Sequence, residues 1–348
     1  MADLLTLDAI LEYAENADRN KSHIFYKFTD IQSWDVREKT LNLGGANFTL
    51  TTHALKQFLK KLKIPYNYFN NCSEELKDKE IREALEEQNP RIEYIFKIKD
   101  NSIYGIIPKQ HHNTLTKPLI QKIKDNLPDN FRVLFYDICL ETTSIRLVST
   151  STEFANGWIP AVDIQFSEVG VCPFTITSVI CNKDGEHCIL FPEKGSPNFK
   201  MPMTRFSTKE LEFQLSNINT FILLQQEDLV NILEKVKETI LPPAPVSEVQ
   251  PEDVTLALGI LIPSKRTRDD YEGRILEKYN SSDSHNLYTL IDAVSAASIC
   301  MNSHLSDIEI LAGRFLTKLL SLQKDAIHHN EQLNLTIANI GRLFKRHN

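Results

Sequence analysis

Apolar and polar residues follow two different periods along this chain. A helical period, with apolar residues three or four positions apart, predicts helices over residues 4–17, 52–63, 74–88 and 116–126. Alternation of apolar and polar residues predicts strands between and after these helices. The predicted strands are 24–29, 32–37, 91–99, 103–107, 131–140, 144–150, 160–167, 173–181 and 187–192. Because a single helix interrupts the strands of the central region, the pattern favours an α+β fold over repeated βαβ units.

From Ser207 onward the pattern is helical. Ser207–Glu210 and Ser306–Glu309 each match the capping box, in which a serine and a glutamate satisfy the first amides of a helix. A last helix is predicted near 330–345, and prolines interrupt the helical region near 241–251. We therefore predict an α+β fold with a central, mainly antiparallel sheet and flanking helices, followed by a helical C-terminal part. The predicted division is a mixed domain, residues 1–205, and a mainly helical region, residues 206–348.

Composition narrows the class of protein. The 348 residues carry a net charge of -7, which argues against coating duplex DNA by bulk electrostatics but is compatible with a local basic groove. The low glycine content, 11 residues, disfavours glycine-rich nucleotide-binding folds, and no cofactor is expected. Apolar runs fall short of the roughly 20 residues that span a bilayer. The N-terminus lacks a signal-peptide pattern, so the six scattered cysteines are expected to be free thiols in a reducing cytosol.

The most distinctive motif lies at the end of a predicted strand and reads Phe166-Ser167-Glu168-Val169-Gly170. Glu168 could contact a metal or a substrate hydroxyl. Alternatively, Gly170 permits a tight turn there, and the Ser167 and Glu168 side chains bond free backbone amides. The second interpretation needs no chemistry, and we prefer it.

Two further groups carry metal-ligating side chains. Cys181, His187 and Cys188 lack the paired spacing of zinc ligands, and a hairpin with Asp-Gly at its tip explains that segment. Four acids on neighbouring predicted strands could converge as a two-metal nuclease site. These acids are Asp137, Glu141, Asp163 and Glu168. No lysine completes a recognised nuclease motif, so no catalytic and no metal-binding residue is predicted.

A basic helix face followed by aromatic residues is the strongest candidate binding site. Three lysines share the side of the 52–63 helix opposite its apolar stripe, and no acid occurs between residues 51 and 63. Basic side chains beside aromatic rings suit single-stranded nucleic acid, which offers phosphates and stackable bases. A solvated helix face above core aromatic rings explains the same pattern, so both interpretations stay open. The candidate residues are Lys56, Lys60, Lys61, Lys63, Tyr66 and Tyr68.

Several short motifs together carry a family resemblance. Residues 49–55 and the turn Ile64–Tyr68 are similar to an early helix and an I-P-x-x-Y turn, and Phe166–Gly170 is similar to an N-S-E-x-G element. Residues 287–297 and 309–313 resemble a C-terminal block, whereas Ile106–His111 departs from a serine-aspartate-arginine-tyrosine motif. The family that these segments resemble is the phage- and plasmid-encoded group called domain of unknown function 932. Its marker positions are Ser167, Glu168, Gly170, Cys181 and Asn182.

The resemblance implies a mobile-element context, where such proteins accompany replication and recombination genes, and it supplies no established activity. Combined with the lysines, it leads us to expect a non-enzymatic nucleic-acid-transaction protein in the cytoplasm of a bacterial host. We expect it to bind single-stranded DNA as a replication or recombination accessory, with annealing as one role. The alternatives are a self-assembling structural or interaction protein of a phage or plasmid, and a metal-dependent nuclease. The expected partners are single-stranded nucleic acid and further copies of the chain, and no membrane.

Overall fold

A computed structural model describes residues 4–154, 157–182, 188–191, 198–218, 224–243, 252–297 and 311–319. Two six-stranded sheets and their flanking helices make up this part of the chain, which confirms the α+β class. The strands predicted for one central sheet are divided between the two, because the hairpin over 93–108 pairs with earlier strands instead of later ones.

The first sheet is formed by residues 21–108. Its strands are β1 (Lys21–Lys27), β2 (Ser33–Asp35), β3 (Thr40–Leu43), β4 (Ala46–Leu50), β5 (Glu93–Lys99) and β6 (Ser102–Pro108). The order is β1-β5-β6-β4-β3-β2, antiparallel except for the β4–β6 pair. One face packs on three helices through a core that includes Leu41, Phe58 and Phe96. The helices are α2 (Thr52–Lys61), α3 (Tyr66–Asn71) and α4 (Glu74–Glu86).

The second sheet follows in sequence and is antiparallel throughout. Its strands are β7 (Phe131–Ile138), β8 (Thr143–Ser149), β9 (Trp158–Phe166), β10 (Phe174–Asn182), β11 (Cys188–Phe191) and β12 (Asn198–Met201). The order is β11-β10-β9-β8-β7, and β12 pairs with the part of β10 that β11 leaves open. One face is covered by three helices that bury Ile10, Ile120 and Leu211. These helices are α1 (Leu7–Asp18), α5 (Thr116–Asn126) and α6 (Thr208–Ser216).

The remaining helices form a separate core with residues of β9, β10 and β11. They are α7 (Leu224–Lys235), α8 (Glu252–Leu261), α9 (Lys265–Asn280), α10 (Leu287–Ala296) and α11 (311–319). Trp158, Ile180 and Phe191 from the sheet are buried among their apolar residues. Helices α7 to α11 therefore pack directly on strands of the second sheet. None of the described helices is long and apolar enough to cross a membrane.

Helix starts follow the predicted side-chain caps. The Ser73 hydroxyl accepts from the Leu76 amide at the start of α4, at 3.3 Å, and so caps the helix predicted from residue 74. Ser207 likewise accepts from the Glu210 amide at 3.3 Å, which provides one of the two hydrogen bonds of the predicted capping box. The box at 306–309 and the helix near 330–345 lie outside the described residues, as does the Asp-Gly tip predicted after Asn182.

Candidate functional site

Helix α2 presents its lysines to solvent because its apolar stripe faces the first core. The Thr51 hydroxyl caps the helix by accepting from the Ala54 amide at 3.2 Å. Four residues on one side are buried, and Lys56 and Lys60 project from the exposed side. Lys63 lies just beyond the helix in the left-handed region, with φ 62°, and is also exposed. We call Lys56, Lys60, Lys61 and Lys63 the lysine face.

Lys61 differs from the other members of the lysine face. Its ammonium lies 4.7 Å from the centroid of the Tyr94 ring, a cation–π contact, and its side chain is half-buried. Burial, helped by the positive charge of Lys60, lowers the pKa of Lys61 to about 8. The lysine remains mostly protonated at neutral pH, so the whole lysine face is positively charged there.

The aromatic residues of the site divide into three environments. Tyr66 is half-buried, and the Lys56 ammonium lies 5.1 Å from its ring centroid. Tyr68 is 46% exposed, and its hydroxyl donates to Glu80 at 3.1 Å. Phe69 is buried in the first core. The structure therefore places Tyr66 beside Lys56 of the lysine face, Tyr68 against Glu80 of α4, and Phe69 in the first core.

Carboxylates are scarce around the lysine face. None of its four lysines forms an ion pair with a carboxylate among the described residues. Three acids of helix α4 pair with other cations, Glu74 with Arg37, Asp78 with Arg82 and Glu83 with Lys79. A fourth, Glu80, accepts a hydrogen bond from Tyr68. Unpaired exposed lysines on one helix side create a local positive potential on a chain whose net charge is -7.

The motif at 166–170 forms a corner at the end of the second sheet. The Ser167 hydroxyl donates to the Glu141 carbonyl at 2.5 Å and accepts from the amides of Val169 and Val171. Gly170 has φ +75°, a backbone conformation that suits glycine. The prediction of a turn fixed by the Ser167 hydroxyl at a glycine bend agrees with this geometry.

Glu168 does not bind the turn's own amides, contrary to the expectation for that side chain. Its carboxylate is buried, and it accepts hydrogen bonds from the Lys21 ammonium at 2.8 Å, the Tyr104 hydroxyl at 2.9 Å and the Thr116 hydroxyl at 2.5 Å. Because the three donors come from β1, β6 and α5, Glu168 joins the corner to the first sheet. A buried carboxylate with a lysine partner is a structural ion pair, and no substrate group is needed to satisfy it.

Other charged side chains near Glu168 are buried as well, which the sequence does not predict. Alternation within 91–99 predicts Lys97 on the polar side of a half-buried strand, yet it is 1% exposed and donates to the Thr114 carbonyl at 2.9 Å. That prediction is wrong because the corner at Val169 and the segment around Thr114 cover this face of the first sheet. Burial lowers the pKa of Lys97, against the opposing effect of Glu168. Asp18 accepts from Lys21 and from the Lys117 amide, both within 2.9 Å.

Two further contacts lock the corner against the first sheet. The Gln57 side chain donates to the Val169 carbonyl at 2.6 Å and accepts from the Ile106 amide at 2.7 Å. Gly105 lies so close that an added Cβ would be 2.2 Å from Val169 Cγ1. Gln57 belongs to α2, so the helix that carries the lysine face is anchored to both sheets. No sequence signal marks Gln57, Lys21 or Tyr104 for these roles.

The four acids considered for a nuclease site do not converge. Asp163 lies 3.5 Å from the Arg146 guanidinium, Glu168 pairs with Lys21, and Glu141 is half-exposed at 3.8 Å from His53. Within the described part of the chain no three metal-ligating side chains come together. Cys181 and Cys188 are buried opposite each other on β10 and β11, Asn182 ends β10, and His187 lies outside the described residues.

No protein-family model, no curated protein and no solved structure gives a significant match to the chain. The resemblance to the phage and plasmid family therefore stays a prediction.

Proposed function

We propose that the protein binds single-stranded nucleic acid at the lysine face, as a replication or recombination accessory of a mobile element. The observation that carries this proposal is that Lys56 and Lys60 on the exposed side of α2, and Lys63 just beyond its end, are exposed and have no carboxylate partners among the described residues. Ammonium groups in this arrangement neutralise successive phosphates and release their counterions, which drives binding.

Tyr68 supports a single strand over a duplex as the ligand. Its ring is 46% exposed and lies two residues after Tyr66, which the Lys56 ammonium contacts. Stacking of a base on an exposed aromatic ring contributes about 1–3 kcal/mol, and it requires a base that is free of its neighbours. The bases of a duplex are already stacked on one another, so an exposed ring favours a single strand.

Fluorescence anisotropy with a labelled single-stranded oligonucleotide tests the proposal. The variant Lys56→Gln/Lys60→Gln/Lys63→Gln removes three phosphate contacts, and we expect its affinity to fall by roughly tenfold or more at low salt. The matched control is Lys79→Gln/Lys209→Gln/Lys278→Gln, which removes the same charge from exposed positions on α4, α6 and α9. Binding that both variants weaken equally, or that wild type lacks at micromolar concentration, would overturn the proposal.

A separate variant tests the role of the ring. Tyr68→Ala should weaken binding of the single strand while leaving the weaker binding of a duplex of the same length unchanged. Circular dichroism serves as the folding control, since Tyr68 is exposed and its loss should not disturb the core.

A further inference from the structure

We propose that Cys181 and Cys188 form a redox pair that closes into a disulfide across β10 and β11. This inference is independent of nucleic-acid binding. The two residues are direct partners in the antiparallel register, Cys181↔Cys188, at the end of the hairpin where β10 meets β11. Directly opposed residues in an antiparallel pair have Cβ atoms about 4.5–5.5 Å apart, close to the separation of about 3.5–4.5 Å in a disulfide.

Both thiols lie on the same side of the second sheet. Cys181 and Cys188 belong to one apolar cluster with Val148, Ala161 and Val179, whereas their chain neighbours Ile180 and Ile189 face the helical core on the opposite side. Neither cysteine forms a disulfide in this structure.

The oxidation is a thiol–disulfide exchange with a small disulfide such as oxidised glutathione. The Cys188 thiolate attacks one sulfur of the oxidant and releases one glutathione thiolate, which leaves a mixed disulfide on Cys188. The Cys181 thiolate then attacks the Cys188 sulfur and releases the second glutathione. The two thiol protons pass to the two glutathiones, so one disulfide is reduced for each disulfide formed.

Access to the pair depends on opening of the sheet edge. The thiols are 0% and 2% exposed, so the folded state shields them from the oxidant. Among the described strands, the four-residue strand β11 pairs only with β10, an arrangement that permits local opening. A hydrogen bond from the Ser295 hydroxyl of α10 to the Cys188 carbonyl, at 2.5 Å, opposes this opening. We therefore expect oxidation to be slower than modification of the exposed Cys139 thiol.

Peptide mapping of the oxidised full-length protein tests the proposal. The protein is incubated with oxidised glutathione, denatured in an alkylating reagent and digested without reduction. Trypsin cleaves after Lys183, so a disulfide between Cys181 and Cys188 joins two separate peptides. Chymotrypsin, which cleaves after Phe174, separates Cys181 from Cys172.

We expect a Cys181–Cys188 peptide pair that lacks two hydrogens relative to the reduced protein, and we expect dithiothreitol to split it. Cys188→Ser should abolish this pair and leave Cys139 reactive. Recovery of both residues as alkylated thiols after prolonged oxidation of the wild-type protein would overturn the proposal. Linkage of Cys181 or Cys188 only to other cysteines would overturn it as well. The wild-type result decides the question if the variant does not fold.

Discussion

At the scale of the residue, Glu168 explains how the two sheets are held together. Its carboxylate is 3% exposed and receives donors from three segments that are far apart in sequence. One donor, Lys21, is equally buried and also contacts Asp18. A buried charge pair of this kind gives little net stability when intact, but it is costly to break, because the remaining charge has no partner.

Replacement of Glu168 should therefore destabilise the protein strongly. Glu168→Ala leaves the Tyr104 and Thr116 hydroxyls without their acceptor and the buried Lys21 ammonium with Asp18 as its remaining partner. We expect a loss of about 3 kcal/mol in the free energy of unfolding. Urea denaturation followed by circular dichroism measures this change. Glu141→Ala is the control, since Glu141 is half-exposed and its loss should cost less than about 0.5 kcal/mol. Equal stability of the two variants would contradict the structural role of Glu168.

His111 makes stability depend on pH. Its ring is 6% exposed, and its Nε2 faces Gly170, where an added Cβ would be 3.3 Å away. Burial lowers the pKa of His111 below its ordinary value of 6.5, and the nearby charge of Lys97 lowers it further. The unfolded chain therefore binds a proton more readily than the folded protein. The contribution of His111 to stability is complete above pH 6.5 and is lost as the pH falls through the folded-state pKa.

Urea unfolding between pH 8 and about pH 5 measures this contribution. We expect the wild-type protein to lose stability on acidification. His111→Gln should lose less over the same range because it cannot take up the proton. His23, His53 and His112 also have lowered pKa values, mainly through burial, so part of the dependence persists in the variant. A variant whose pH dependence equals that of wild type would show that His111 is not the titrating group.

At the scale of the element, the corner and β6 approach each other at a glycine. Val169 packs where a side chain at position 105 would lie, so Gly105→Ala forces a shift of the corner or of the strand. We expect a loss of about 1–3 kcal/mol in the free energy of unfolding from this overpacking. Gly273→Ala is the matched control, because Gly273 lies in α9 with open space around it and should gain up to about 1 kcal/mol. Similar changes in the two variants would be inconsistent with the close approach.

Periodicity predicts the longer elements well and the short ones poorly. Helix α5 occupies the predicted residues 116–126, and α2 and α4 differ from their predictions only at their C-terminal ends. The four-residue strands β3 and β12 and the six-residue helix α3 were not predicted, because such segments are too short to establish a period. Division of the strands into two sheets depends on long-range pairing, such as that of β1 with β5, which local patterns do not encode.

In the candidate site, too, features set by local sequence could be predicted and features set by long-range packing could not. The lysine face could be predicted because its members lie within eight residues of the sequence, although the helix ends before Lys63 and Lys61 is half-buried. The buried group around Glu168 could not, since Lys21, Tyr104 and Thr116 meet only through tertiary packing. Lys97 is the clearest case, because its position in the alternation of β5 is typical of a solvent-facing residue, and it is buried only through contacts with segments distant in sequence.

At the scale of the whole molecule, the net charge and the lysine face act against each other. A chain with net charge -7 repels a polyanion at long range, whereas the lysine face attracts it at short range. The Debye length is about 10 Å at 0.1 M salt, so added salt screens the distant acids as well as the contacts. We therefore expect binding of moderate strength that depends on a small number of local contacts.

Whether single-stranded nucleic acid binds at the lysine face can be decided from the slope of the logarithm of the binding constant against the logarithm of salt concentration. For single strands each neutralised phosphate contributes about 0.7 to the magnitude of this slope. Removing Lys56, Lys60 and Lys63 together should therefore reduce the slope by about 2, while the charge-matched control at Lys79, Lys209 and Lys278 keeps the wild-type slope. An unchanged slope in the lysine-face variant would contradict the account, because the phosphates would then be bound elsewhere.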